Sequence, residues 1–379
     1  MVAIDSYAGG DGRLSPLSTP SATRAVLEAH GIGTKYTLGQ NFLVNDDVLK
    51  KIVALAEVGE DDRILEVGPG IGTLTIALLK HAAGVVAIER DPDLPAVLAD
   101  TLHPWREKFA LIEKDALDVT RDDIVAAMVE IGGDAGYPDR ASSAANETAQ
   151  WAVSQSEDCL SESGYPVAPP QEDLQLSLPS KLVANLPYAV AATVVLDYFE
   201  SFPFLDSATI MVQKEVADRM VAAVGTKNYG AYTVKLGLYA EPVGRFAVGP
   251  GNFFPPPRVD SAVIRLNRRV PLMADGAPAS PEVIAAAALM ADAAFTNRRK
   301  TIANSCKTYF SGRGPISLGA GPSAQEGAPG IVLPDGAAIA ERLAAIFDAA
   351  TIDPRRRGET LTQQEFLALG AALLKVTAA

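Results

Sequence analysis

Two short segments of this chain carry residues that can do chemistry together. Asn185-Leu186-Pro187-Tyr188 follows the apolar run Lys181-Leu182-Val183-Ala184, and Glu66-Val67-Gly68-Pro69-Gly70-Ile71-Gly72 follows a similar run upstream. The first offers the amide oxygen of Asn185, a Leu186 carbonyl held outward by the proline after it, and the ring of Tyr188. An exocyclic aromatic amine is a poor nucleophile because its lone pair is delocalised into the ring. Two acceptors that take its protons favour the pyramidal form whose lone pair is localised, and a tyrosine gives the unstacked base a surface to lie on. Asn185, Leu186, Pro187 and Tyr188 are therefore candidate catalytic residues for methyl transfer to such an amine. A sulfonium donor drives the reaction, so no strong general base is required.

The glycine-rich turn lets backbone come close to a bound nucleoside, because glycine has no side chain in the way. The dinucleotide spacing G-x-G-x-x-G fails from either start: Thr73 follows Gly68 and Gly70, and Thr75 follows Gly70 and Gly72. Glu89, closing the next strand, suits a ribose diol. Asp115, in Glu113-Lys114-Asp115-Ala116-Leu117, suits an adenine amine or a helix N-cap. Features at the ends of three successive strands, with Gly68 and Gly70 on the first, imply S-adenosylmethionine as cofactor and S-adenosylhomocysteine as product. A second aromatic, Phe253, precedes three prolines that stiffen its loop for packing in the core or for holding a ring against the other face of a base.

The elements that must position these residues alternate. Asp46 to Glu57 has the spacing of an amphipathic helix, and Arg63–Val67, Val85–Glu89, Ala110–Ile112, Leu182–Asn185 and Thr209–Gln213 read as strands. Helical patterns near Thr73–Lys80, Asp93–Leu102 and Lys214–Ala223 fall between them. That rhythm predicts an α/β fold, a Rossmann-like parallel sheet with helices on both faces. Ser261–Leu266 reads as a late strand pairing with Val243–Val248 at an edge. Beyond Asn267 the pattern is helical only: Pro281–Phe295, Lys300–Tyr309, Ala337–Ala349 and Thr362–Leu374. The expected organisation is a mobile tail over 1–22, a methyltransferase domain over 23–266 with an inserted, mobile segment at about 132–178, and a small helical domain over 267–379 with a Gly-rich loop at about 312–336.

The bulk numbers bound the rest. A chain of 379 residues has room for two domains, and 48% hydrophobic with 21% charged residues fits a soluble globular protein. No apolar run approaches the roughly 20 residues of a membrane span, and the first residues lack a basic, apolar leader pattern, which predicts the cytoplasm. Two cysteines, Cys159 and Cys306, and three histidines at no ligand spacing predict no metal. The net charge of −13 is unevenly spread: residues 132–180 carry eight acids against one arginine, whereas 258–313 carry nine bases against four acids. A basic face on an acidic protein still binds phosphate.

Five ordered motifs carry a resemblance: Lys35-Tyr36-Thr37-Leu38-Gly39-Gln40-Asn41-Phe42-Leu43, the Glu66–Gly72 turn, Asn185–Tyr188, the Phe253–Ser261 loop and Asn297-Arg298-Arg299-Lys300-Thr301. In this order they resemble the ribosomal RNA adenine dimethyltransferases, most closely the bacterial small-subunit branch, the kasugamycin-sensitivity methyltransferases. The resemblance spans Ala22 to the C-terminus apart from the two loops. It implies cofactor contacts at Asn41, Leu43, Gly68, Glu89, Asp115 and Asn185, and an adenine held between Tyr188 and Phe253. It implies two methyl groups on each of two adjacent adenines in the 3′-terminal hairpin loop of small-subunit rRNA, acting on a pre-assembled subunit, by a protein that is monomeric when free. A basic helix around Arg298, Arg299 and Lys300, with Arg258 in the proline loop, becomes the expected phosphate-binding face. The acidic insert departs from the family pattern, and because negative charge repels phosphate it is expected to point away from the ribosome. Rival readings are a large-subunit rRNA methyltransferase and an assembly factor with little catalysis; the intact tetrapeptide and glycine turn speak against the second.

Overall fold

The computed structural model describes residues 12–32, 41–131, 178–313 and 337–378. Seven strands form the main sheet in the order β4-β3-β2-β5-β6-β9-β7: β2 (Arg63–Val67), β3 (Gly84–Ile88), β4 (Phe109–Ile112), β5 (Lys181–Asn185), β6 (Ser207–Gln213), β7 (Ala240–Val248) and β9 (Ser261–Arg268). The first five are parallel. The expectation of a parallel sheet needs one correction, because β9 runs antiparallel between β6 and β7. Short connections dictate this: β7 returns to β9 through a compact loop, which can only reverse direction. β1 (Phe42–Leu43) and β8 (Phe253–Phe254) pair separately, with Leu43 opposite Phe253 and Phe42 opposite Phe254.

Alternation along the strands assigns the two faces. Leu65, Val67, Leu182, Ala184, Ile210 and Val212 point into one core cluster, whereas Ile64, Val183 and Met211 point into the other. The first cluster is closed by α5 (Arg121–Ile131) and α6 (Ala191–Ser201), and the second by α2 (Asp46–Ala56), α3 (Thr73–Leu79) and α4 (Leu94–Thr101). Burial on both faces explains why β3 is apolar and buried throughout. The parallel order reverses between β2 and β5, the switch point at which such sheets open a crevice beyond their carboxyl ends. β2 and β5 pair with Ile64 opposite Lys181 and Leu65 opposite Leu182, and continuing that register brings Gly68 level with Asn185.

The remaining described helices are α1 (Pro20–Ala29), α7 (Lys214–Met220), α8 (Ala231–Gly237), α9 (Pro281–Phe295), α10 (Ile302–Phe310), α11 (Ala337–Ala349) and α12 (Gln363–Ala378). α9 to α12 build a third core around Met290, Phe310, Phe347 and Phe366. Tyr229 and Val234 from the connection between β6 and β7 enter that core, so the helical unit reaches back across residue 267.

The expected mobile tail is wrong for residues 12–22. Leu17 is fully buried, and Asp46 accepts from Leu14 N at 2.8 Å, Ser15 N at 3.2 Å and Ser18 Oγ at 3.3 Å. Thr19 then caps α1 through Ala22 N at 3.1 Å, with proline in the first turn. Asp46 is free to do this because Asn45 caps α2, accepting from Asp47 N at 2.9 Å and Val48 N at 3.3 Å. The expected insert ends before Leu178, which is buried in the first core. Most of it, the first eleven residues, the Lys35–Gln40 part of the first motif and most of the Gly-rich loop lie outside the described residues.

Close helix approach holds the helical unit together. A Cβ placed on Gly370 of α12 would stand 2.6 Å from Ala287 N and 2.7 Å from Val283 O of α9, and both are backbone atoms that cannot yield alone. Gly370→Ala is expected to destabilise the protein by about 1–3 kcal/mol, the usual cost of overpacking, read as a lowered chemical-denaturation midpoint. An unchanged midpoint would contradict this packing.

Candidate active site

A cavity of about 480 Å³ opens at the carboxyl ends of β2, β3, β4 and β5, within the size range of nucleoside-sized sites. Asn41, Leu43, Gly68, Gly70, Glu89, Asp115, Asn185, Leu186, Pro187 and Tyr188 all line it. Ten of the sequence-predicted residues thus line one cavity although they span nearly 150 positions.

The floor is the turn after β2. Gly68, Gly70 and Gly72 have φ of +70°, +61° and +86°, a left-handed path that only glycine follows without strain. Space adds to this at Gly70, where a Cβ would lie 3.2 Å from the Phe42 ring, whereas one on Gly68 would make an ordinary contact at 3.4 Å with Pro187 Cδ. Gly72 opens α3.

Two acids also line the cavity. Glu89 is 9% exposed, and its Oε1 accepts from the backbone N–H groups of Arg90 and Asp91, both at 2.9 Å. Burial raises its pKa against the lowering effect of those donors and of Gly70 N–H. Asp115 takes the capping role and lies on the cavity wall. Its Oδ1 caps a turn by accepting from Leu117 N at 3.1 Å, Oδ2 accepts from Arg90 at 2.8 Å, and the carboxyl still faces the cavity. The Leu117 N–H, then Arg90, hold its pKa below the ordinary carboxylate value. A glycine floor, two acids and an apolar Leu43 side fit a nucleoside that is polar at its ribose and base amine.

The tetrapeptide after β5 forms the opposite wall. Asn185 Nδ2 donates to Asn41 O at 3.2 Å. An amide oxygen cannot bond a carbonyl oxygen, so this contact fixes the flip and leaves Oδ1 as the accepting end. Asn41 is in turn held by the β1–β8 pairing beside it, by Val44 N to Asn252 O at 2.8 Å and by Asn45 Nδ2 to Asn252 Oδ1 at 2.8 Å. Leu186 N donates to Met211 O at 3.1 Å, which orients its peptide. The Pro187 carbonyl is consumed by Val190 N and Ala191 N at the start of α6, at 3.2 and 3.1 Å. The Leu186 carbonyl has no hydrogen bond among the described residues and remains the second acceptor. Tyr188 OH shares a 2.6 Å hydrogen bond with the buried Ser261 Oγ, so its half-buried ring is tethered to β9, and burial raises its pKa.

Three expectations are corrected by the geometry. Phe253 does not reach the cavity wall: it is 3% exposed and packs in the core with Phe42, Leu43 and Val263. Pairing with Leu43 turns its ring inward, and the next residue, Phe254, is the half-buried one, with Arg24 over its ring at 5.3 Å. Asn297–Thr301 is a turn between α9 and α10 rather than a helix, with Thr301 as the α10 cap. Arg298 is exposed but engaged within the chain. Its Nε donates to Glu359 at 2.8 Å and its Nη2 to Thr226 O at 3.0 Å, which ties three segments of the helical unit together.

Other bases of the 258–313 stretch are structural as well. Arg268 donates to the carbonyls of Leu205, Phe199 and Phe202 at 2.6, 2.9 and 2.7 Å, closing the C-terminal end of α6. Arg265 pairs with Glu57 at 2.7 Å. Arg258, Arg299 and Lys300 are exposed. The sequence reading missed their partners: the Pro354–Arg357 turn docks on α10 through Ile302 N to Arg356 O at 2.7 Å and Ala303 N to Pro354 O at 3.2 Å. Arg355 and Arg357 thereby join Arg299 and Lys300 at one end of the helical unit. The run Arg355-Arg356-Arg357 was visible as a signal, but its distance in sequence hid the association. Gln213, at the end of β6 on the cavity wall, was also missed as a site residue. Among the described residues no cluster of histidine, cysteine and acid side chains could hold a metal, and no helix is long and apolar enough to cross a membrane.

Comparison with known proteins agrees with this geometry. The chain is 32% identical to the ribosomal RNA small subunit methyltransferase A of Geobacillus sp. (strain WCH70), over 95% of this chain and 98% of that protein. It is 33% identical to the protein of the same name from Enterococcus faecalis, over 95% of this chain and 97% of the other. Among solved structures, a dimethyladenosine transferase from Plasmodium falciparum shares the fold, with a TM-score of 0.56 at 19% identity over 88% of this chain and 98% of that one. The model of the family described as ribosomal RNA adenine dimethylase matches residues 33–314, and the chain belongs to that family.

Proposed function

We propose that this chain uses S-adenosylmethionine to dimethylate the N6 amines of two adjacent adenines in the 3′-terminal hairpin loop of small-subunit rRNA, on an assembling subunit in the cytoplasm, acting as a monomer. The observation that carries the reading is that the glycine floor and the acceptor pair of Asn185 and Leu186 share one cavity, with the Asn185 amide turned by Asn41 so that its oxygen is the free end. The relatives named for small-subunit rRNA methylation support the substrate class.

Gly68 and Gly70 let the backbone approach the amino-acid and ribose parts of the cofactor, Glu89 meets the ribose hydroxyls, Asp115 meets the adenine amine, and Asn41 and Leu43 close the side. When bound, the cofactor supplies an electrophilic methyl group on a sulfonium. The target adenine leaves its stack and lies on the Tyr188 ring, whose hydroxyl tether to Ser261 keeps it from turning. Asn185 Oδ1 and the Leu186 carbonyl accept the two N6 protons and localise the lone pair, and the proton left after transfer passes to water. After one methyl group has been added, one acceptor still has an N–H to hold, which permits a second transfer at the same site. Arg258, Arg299 and Lys300, with Arg355 and Arg357, meet rRNA phosphates.

Labelled methyl transfer to small subunits from cells lacking this gene, followed by mass analysis of the rRNA 3′ end, tests the reading. Dimethyladenine at two neighbouring positions is expected, and labelling elsewhere or none would refute it. Asn185→Ala is expected to lower turnover by about 10²-fold or more, the scale of losing one placed acceptor, while cofactor affinity falls far less. Wild-type turnover would remove Asn185 from the mechanism. Tyr188→Phe loses only the tether and should keep most activity, whereas Tyr188→Ala loses the stacking face and should raise KM for the subunit; equal effects would contradict a role for the ring. Arg299→Glu with Arg355→Glu should weaken subunit binding and flatten its salt dependence, with cofactor affinity unchanged by calorimetry.

A further inference from the structure

One polar residue on the cavity wall belongs neither to the glycine floor nor to the acceptor pair. Gln213 ends β6 and stands just before α7, yet its side chain does not cap that helix. It is half-buried and lines the cavity with Asn185, Leu186 and Tyr188, and its amide has no hydrogen-bond partner among the described residues. A side-chain amide offers two N–H donors and a carbonyl acceptor, so one without protein partners at a cavity is free to read a ligand.

The sheet fixes where that amide lies. In the order β4-β3-β2-β5-β6, the glycine floor, Glu89 and Asp115 follow β2, β3 and β4 on one side of β5, whereas Gln213 ends β6 on the other. Asn185 and Tyr188, carried by β5 and the turn after it, therefore stand between the cofactor end and Gln213. Gln213 pairs directly with Ser261 of β9, and residues opposite one another on antiparallel strands carry their side chains on the same face. Ser261 Oγ holds the Tyr188 hydroxyl at 2.6 Å, so Gln213 lies beside the hydroxyl end of that ring. Alternation agrees: Val183 and Met211 enter the second core, and Asn185 and Gln213, each two residues further along its strand, emerge on that same face. Asn185 is level with Met211, which puts Gln213 one strand across and two residues beyond it, about 8 Å away between Cα atoms at ordinary strand spacing. Both amides can therefore reach one base laid on Tyr188.

We propose that Gln213 reads the Watson–Crick edge of the target adenine, its Nε2–H donating to N1 while N6 is held by Asn185 Oδ1 and the Leu186 carbonyl. The proposal rests on the reading of this cavity as an adenine methyltransferase site. N1 is the ring nitrogen next to N6 on the edge by which an extruded base is read, and it is an acceptor. It needs a donor, which neither Asn185 Oδ1 nor a carbonyl is, and the Gln213 amide supplies one from the side of the cavity away from the cofactor. The contact fixes the base in its plane, so that N6 and no other edge atom lies at the acceptor pair. Guanine would bring its oxygen to those same two acceptors, an unpaired arrangement that costs affinity. Gln213 makes and breaks no covalent bond: it binds and orients the base.

Methyl transfer by the full chain to small subunits reconstituted around rRNA with adenine, 1-deazaadenine or 7-deazaadenine at the target positions tests this, in wild type, Gln213→Met and Gln213→Glu. Loss of one neutral hydrogen bond costs about 3- to 10-fold. Gln213→Met should lower kcat/KM on adenine by that factor and on 7-deazaadenine by the same factor, but should add no loss on 1-deazaadenine, where the N1 acceptor is already gone. Gln213→Glu keeps the shape yet sets a carboxylate against the N1 lone pair, and should lose more than Gln213→Met on adenine. Affinity for S-adenosylhomocysteine, read by calorimetry, should be unchanged in both variants. Equal losses on adenine and 1-deazaadenine overturn the proposal, as do a loss that vanishes on 7-deazaadenine instead, a matching fall in cofactor affinity, or wild-type turnover in Gln213→Glu. No transfer by the wild-type protein to adenine-containing subunits overturns the reading of the cavity as well.

Discussion

The functional end of this fold depends on the turn after β2 lying against the tetrapeptide after β5. Gly68 takes a φ of +70°, a left-handed turn that glycine follows without strain, and it lies in van der Waals range of Pro187, 3.4 Å from its Cδ to a Cβ built on the glycine. Because β2 and β5 are neighbours at the point where strand order reverses, the two segments leave the sheet at the same level. A cofactor laid on the glycine floor is then necessarily beside the acceptor pair, and the distance between donor and acceptor sites is set by the spacing of two adjacent strands rather than by mobile loops. The Asn185–Asn41 hydrogen bond fixes the remaining degree of freedom, the sense of the amide.

Charge is organised around the same crevice. Glu89 is held by backbone N–H groups, Asp115 by Leu117 N–H and Arg90, and Glu66 is buried near the Thr75 hydroxyl with its Oε2 unpartnered among the described residues. Acids at successive strand ends line the cavity, while Arg299, Lys300, Arg355 and Arg357 are exposed on the helical unit. Along the sequence the charge is uneven, with eight acids against one base over 132–180 and nine bases against four acids over 258–313, so a net charge of −13 is compatible with a local basic face.

The parts legible in the sequence are those where local chemistry suffices. The strand after strand rhythm, the glycine turn and the acceptor tetrapeptide are each specified within a few residues, and the sheet brought them together as expected. The failures share one cause, long-range partners that composition does not show. Residues 12–19 read as a tail because they are rich in Ser and Pro, yet Asp46 fixes them from 28 or more positions away. Arg265 and Arg268 counted as surface charge, but Glu57 and the end of α6 hold them, and Arg298, though exposed, is paired with Glu359. Phe253 read as a base-stacking ring, but a two-residue pairing with β1, too short to be seen as a strand, turns it into the core. Arg355 and Arg357 were overlooked because only the folded helical unit sets them beside Arg299.

The most direct test of this account is a structure of the chain with an adenosine whose N6 is linked covalently to the methyl-donor end of an S-adenosylmethionine analogue. The account predicts N6 within about 3 Å of both Asn185 Oδ1 and the Leu186 carbonyl, the hydrogen-bond range for such acceptors, with the linked adenine flat on Tyr188 and Asn185 Nδ2 still on Asn41 O. An N6 directed away from that pair, or an Asn185 amide reversed to present its nitrogen, would contradict it.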